Sequence, residues 1–153
     1  VRLAEEVKSL GEVHLATTIC GNGLVYYGIH ALEMAYAVLG AGAVSCLNVG
    51  QPGRNIVRVR FANGRDLVLM VAEPQWMCAG YQLNVYGKAG WRSLQPDLTD
   101  LYLYLMQAFL DMVSSGAKYV VPLDEMAGVI AVLEAGERSL AEGREVTVAE
   151  VQQ

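Results

Sequence analysis

A chain that passes from extended to helical between two glycines must set a helix start beside a strand end, and residues 23–40 are built this way. Gly23-Leu24-Val25-Tyr26-Tyr27 is β-prone. From Gly28 onward, Ile29, Leu32, Tyr36 and Leu39 recur at helical period and predict one apolar stripe, with Gly40 as the C-cap. On that helix His30 and Glu33 lie three residues apart and project from one side. Tyr26 and Tyr27 come just before the first turn, near its unpaired N–H groups. A titratable ring, a carboxylate and two phenols therefore gather at one helix start.

The flanking segments specify a sheet with helices. Arg2 to Leu10 predicts a short amphipathic helix ended by Gly11. Glu12 to Cys20 alternates, with Val13, Leu15, Thr17 and Ile19 on one face and His14, Ala16, Thr18 and Cys20 on the other, as in a half-buried strand. Ala43–Val49, Asn55–Ala62, Leu67–Ala72, Trp76–Tyr86 and Trp91–Leu94 read as further strands. Asn63-Gly64 predicts a hairpin with a type I′ turn. Successive hairpin connections predict a meandering antiparallel sheet.

Two helices are expected to follow. The first runs from about Leu98 to Ser115, with Leu101, Leu105, Phe109 and Met112 on one stripe. The second follows Pro122 and carries Asp124 and Glu125 in its first turn, with Met126, Val129, Ile130, Leu133 and Leu140 as its apolar side. Gly128 and Gly136 suggest close approach to another helix. Gly143 is the expected stop, before a last strand over 144–148. The fold class is α+β: a mostly antiparallel open sheet with helices packed on one face, in a single domain over residues 1–153.

Composition narrows the function classes. A hydrophobic content of 54% with mean hydropathy +0.30 exceeds what a core needs and implies an interface. No apolar run approaches the ~18 residues of a membrane span. A net charge of −5 and the absence of a Lys/Arg stripe argue against nucleic acid. Cys20, Cys46 and Cys78 are scattered and odd in number, so no disulfide framework is expected and a reducing cytoplasm is the default. The chain begins at Val1 without a basic leader and reads as a piece of something longer. Leu39-Gly40-Ala41-Gly42-Ala43-Val44 follows a helix and precedes a strand, the reverse of a dinucleotide loop. There is no P-loop, nucleophile elbow or His-Glu-x-x-His. His30 and Glu33 could supply two ligands to a metal, but no third has support, so no metal is expected.

Gly28, His30 and Glu33, followed by a helix and Leu39-Gly40, resemble the Asp-x-Gly-x-His-x-x-Asp motif in the C-terminal domain of the Gfo/Idh/MocA family (glucose–fructose oxidoreductase / inositol 2-dehydrogenase). Glu33 stands for the last Asp and Tyr26 for the first. Gly87-Lys88-Ala89-Gly90, the helix running to Phe109, Ser139 and Gly143-Arg144-Glu145-Val146 also resemble that family. The resemblance implies a substrate-binding and oligomerisation domain of an NAD- or NADP-dependent oxidoreductase acting on a sugar, polyol or related alcohol. The cofactor would sit in a separate N-terminal Rossmann domain, with none bound by this chain.

It further implies His30 as the catalytic acid–base group, since imidazole titrates near neutrality, and Tyr26, Tyr27 and Glu33 as substrate-binding residues. Homo-oligomerisation through the free sheet face is expected, because helices cover only one side. Two alternatives stay open. One reads His30 as a core histidine satisfied by Glu33 with the tyrosines as packing, and the other reads the whole chain as a non-catalytic ligand-binding or scaffold module of the same fold.

Overall fold

The computed structural model describes residues 5–77, 80–116 and 121–152. Arg2, Leu3 and Cys78 lie outside these. The strands are β1 (Val13–Gly21), β2 (Ala43–Asn48), β3 (Arg54–Phe61), β4 (Asp66–Ala72), β5 (Gln82–Gly87), β6 (Gly90–Leu94) and β7 (Val146–Thr147). The helices are α1 (Gly28–Leu39), α2 (Leu101–Ser115) and α3 (Leu123–Glu142). The strands form one open sheet in the order β6-β5-β1-β4-β3-β2-β7. α1 packs on β1, β4 and β5, and α3 packs on β2, β7 and α1, all on one face.

This is the expected α+β class, with one change of topology. β4 does not pair with β5. β1 lies between them, parallel to β4 and antiparallel to β5, so the sheet is not a simple meander. The strand expected from Trp76 begins only at Gln82, because Glu73–Trp76 closes a turn in which Trp76 N–H donates to Glu73 C=O (2.8 Å). The register of β1 is also the reverse of its apolar pattern. The helix-covered face carries Ala16, Thr18 and Cys20, all buried, whereas Leu15 is 41% exposed. Small side chains let α1 approach closely. A register shift between Val13 and Leu15 carries buried Val13 into the same side.

The β3–β4 hairpin is present, but its turn differs from type I′. Phe61 and Arg65 pair around Ala62-Asn63-Gly64, and only Gly64 has a positive φ (80°). This is a three-residue loop with glycine at the left-handed position. At the N-terminus Glu5 and Glu6 are helical and a 3-10 turn at Lys8–Leu10 follows, seating Val7 and Leu10 in the core, while the expected start of this helix lies outside the described residues. The last strand shrinks to β7, followed by a 3-10 turn at Val148–Glu150.

α1 buries Leu32, Tyr36 and Leu39 as its stripe predicts, together with Ala31, Met34 and Ala35. α3 buries Val129 and Leu133, but Ile130 is 57% exposed and Ala131, Val132, Ala135 and Ser139 make up its inner face. Its glycines do not meet another helix. A Cβ on Gly136 would contact Leu24 and Val57, and one on Gly128 would meet open space. A buried polar network ties the end of α3 to the β2–β3 loop. Asn48 donates to Asn55 Oδ1 (2.8 Å) and Gly136 C=O (3.2 Å), while Ser139 Oγ accepts from Asn48 N–H and donates to Arg144 C=O (2.6 Å). No buried side-chain polar atom among the described residues lacks a partner, as native interiors require.

Candidate functional site

The site is fixed by a loop that one leucine pins down. β1 ends at Gly21, and Asn22 turns the chain at φ 72°, a conformation asparagine tolerates better than most residues. Leu24 is 2% exposed and fills the angle between α1, α3 and the sheet. Glycine at 28 permits this, because a Cβ there would lie 3.2 Å from Leu24 Cδ1 and 3.3 Å from Val71 Cγ2. The backbone then closes on itself, with Tyr27 and Gly28 N–H both directed at Gly23 C=O (3.2 and 3.3 Å). α1 thus starts at one defined place, and its first turn carries His30.

His30 stands edge-on to two tyrosines. Its ring centroid is 6.3 Å from Tyr27 at 79° and 6.1 Å from Tyr81 at 82°, while Tyr27 and Tyr81 lie parallel at 6.1 Å. Such edge-to-face geometry is attractive and orients the imidazole. Glu33 Oε2 lies 3.3 Å from His30 Nδ1. A proton on Nδ1 makes this a hydrogen bond and leaves the lone pair on Nε2, the arrangement a carboxylate imposes on a histidine base. The imidazole and the carboxylate are 59% and 49% exposed, so this is no core histidine.

The structure thus brings together His30, Tyr27 and Glu33, and leaves Tyr26 aside. Tyr26 is 79% exposed and no hydrogen bond or ring contact joins it to His30 among the described residues. Tyr27 meets His30 through its ring and not through a hydrogen bond. Tyr81 was not foreseen. It precedes β5, which only the insertion of β1 brings beside α1, and no local signal marks it. Burial, followed by the neighbouring Cys20 and Tyr27, raises the Tyr81 phenol above its usual range, so it stays a neutral hydroxyl.

The two described thiols are buried. Burial pushes the Cys20 thiol up to about 11 and Cys46 to about 12, which keeps both protonated. His14 is a solvated strand residue beside Glu12. No group of three or more His, Cys, Asp or Glu side chains among the described residues could hold a metal. Gly40 and Gly42 join the end of α1 to β2. Cavities of about 450 and 400 Å³ open elsewhere, and none of His30, Glu33, Tyr27 or Tyr81 lines either. His30 faces an open surface.

No protein-family model and no curated protein matches the sequence. Solved structures do match in fold. GenD2 from gentamicin A biosynthesis, solved in complex with NAD, superposes with a TM-score of 0.78 at 20% identity over 95% of this chain and 58% of its own. The myo-inositol 2-dehydrogenase of Lactobacillus plantarum gives 0.78 at 14% identity, over 95% of this chain and 60% of its own. The scyllo-inositol dehydrogenase of Lactobacillus casei, with bound NAD(H) and scyllo-inositol, gives 0.79 at 12% identity, over 97% and 60%. The chain therefore spans about three-fifths of the length of these neighbours.

Proposed function

We propose that this chain, which has the fold of the C-terminal half of Gfo/Idh/MocA-type oxidoreductases, is the substrate-binding and oligomerisation domain of a longer NAD- or NADP-dependent enzyme. Its substrate class is a sugar, polyol or related alcohol. The observation that carries this reading is His30 standing edge-on to both Tyr27 and Tyr81 at the helix start, with Glu33 Oε2 beside Nδ1 and the imidazole exposed. The nicotinamide that accepts hydride would be held by an N-terminal Rossmann domain, since the sequence carries no P-loop or dinucleotide fingerprint.

His30 Nε2 takes the proton of the substrate hydroxyl as that carbon gives up hydride. Glu33 stabilises the imidazolium that forms, and the proton then leaves to solvent. Tyr27 and Tyr81 present hydroxyls and apolar ring faces to the carbon skeleton of a polyol. The openness of the His30 surface supports a second domain closing over it, which would exclude water from the reaction.

In the longer enzyme His30→Ala should lower turnover by roughly 10²–10⁴-fold, the usual worth of an acid–base group, with its melting temperature within the spread of surface substitutions. Tyr26→Phe should be mild in both. Unstable His30→Ala protein with near-normal turnover per folded molecule would sink the catalytic role.

One observation favours a second reading, the scaffold or ligand-binding module without catalysis: Tyr26 stands where the family motif has an aspartate and lies outside the cluster. The open sheet face, with Leu15, Ile56 and Val49 at 41%, 44% and 65% exposure, supports assembly of copies through that face. No described helix is long and apolar enough to cross a membrane. The free thiols of Cys20 and Cys46 fit a cytoplasmic setting.

A further inference from the structure

α2 is a fifteen-residue helix with no buried residue, although most of its side chains are apolar or aromatic. Tyr102, Leu103, Tyr104 and Val113 are each more than 60% exposed, and Leu101, Leu105, Met106, Phe109 and Leu110 are 50–53% exposed. Asp111 is its only charge. Wound at ~3.6 residues per turn, Gln107, Asp111, Ser114 and Ser115 share one side, interrupted by Tyr104, and Gln107 donates to Asp111 there (2.9 Å). Its apolar side chains spread over an arc of roughly 200° on the other side. An ordinary amphipathic helix against one surface needs an apolar stripe of only ~100°. α2 is made for two walls.

We infer that α2 is the surface on which the nucleotide-binding domain of the longer enzyme docks, with the helix set into a groove of that domain. This rests on the functional reading above. Size separates this occupant from a second copy of the chain. A helix of fifteen residues is ~22 Å long, so two walls of ~10 Å each bury roughly 900 Å² counting both partners. That lies within the ~600–1,500 Å² of domain interfaces inside one chain. Pairing two copies of α2 side by side would use one wall, bury about half as much, fall short of the ~1,200 Å² of a stable dimer and leave the other wall wet. The solved neighbours hold about two-fifths of their length outside the likeness, enough for such a domain.

The test is hydrogen–deuterium exchange over residues 101–115, in this chain and in the longer polypeptide, at two protein concentrations, with NAD and NADP binding measured on the same samples. In the longer polypeptide α2 amides should exchange at least ~100-fold more slowly than in this chain, independently of concentration. Leu105→Glu should abolish that protection and Gln107→Glu, on the side shared with Asp111, should keep it. Equal exchange in a longer polypeptide that binds nicotinamide overturns the inference alone. Protection in this chain that grows with concentration overturns it in favour of a second copy. A longer polypeptide that binds neither nucleotide overturns the functional reading and this inference with it.

Discussion

Gly28 and Gly128 sit on helices and have opposite meanings. A Cβ at 28 would press on Leu24 and Val71 at 3.2–3.3 Å, in the packed angle that sets the start of α1. Gly28→Ala should cost about 1–3 kcal/mol as overpacking, and would shift His30 with the helix. A Cβ at 128 meets nothing within 4 Å. Gly128→Ala should therefore gain up to about 1 kcal/mol from helix propensity. Urea unfolding of the two variants reads both, and a stabilised Gly28→Ala protein would contradict the role given to Leu24. His30, Glu33 and Tyr27 are legible in sequence because helical spacing and chain adjacency place them together. Tyr81 is not, because its proximity depends on a strand pairing that joins residues far apart in the chain. Tyr26 is adjacent in sequence to Tyr27 yet faces away, since a turn carries no fixed period from which direction can be read.

Elements defined by local chemistry are the ones sequence reasoning places well. α1 ends at Gly40 and α3 at Gly143, each at positive φ, and Asn63-Gly64 does make a hairpin. What local chemistry cannot specify is which strand joins which. The parallel β1–β4 pairing leaves no turn signature, and the two faces of β1 differ in covering and not in polarity.

The C-terminal turn offers an element-scale prediction. Arg144, then the backbone N–H and hydroxyl of Thr147, hold the Glu150 carboxyl down at about 2. A carboxylate lowered in the fold stabilises it above its unfolded value of ~4.3 and loses that contribution as pH falls toward about 2. Glu150→Gln should therefore lower the melting temperature at neutral pH, with the gap from wild type closing between about pH 4.3 and 2. A gap that persists undiminished at pH 2 would show that the carboxylate charge is not its source.

At the scale of the whole molecule two surfaces remain uncovered, the open sheet face and α2, which accounts for a hydrophobic content of 54%. On the sheet face Leu15, Ile19, Val68, Met70 and Ile56 surround the Arg58–Asp66 ion pair (3.2 Å). Light scattering across a concentration series should give an oligomer that Ile56→Asp dissociates. A strictly monomeric mass at every concentration would count against sheet-face assembly.

The proposal that this chain is one part of a longer nicotinamide-dependent alcohol oxidoreductase is tested most directly by following nicotinamide reduction across a panel of sugars and polyols. The longer polypeptide should turn over at least one of them, and this chain alone none. A longer polypeptide that binds nicotinamide yet oxidises no member of the panel, or turnover by this chain alone, would contradict the account.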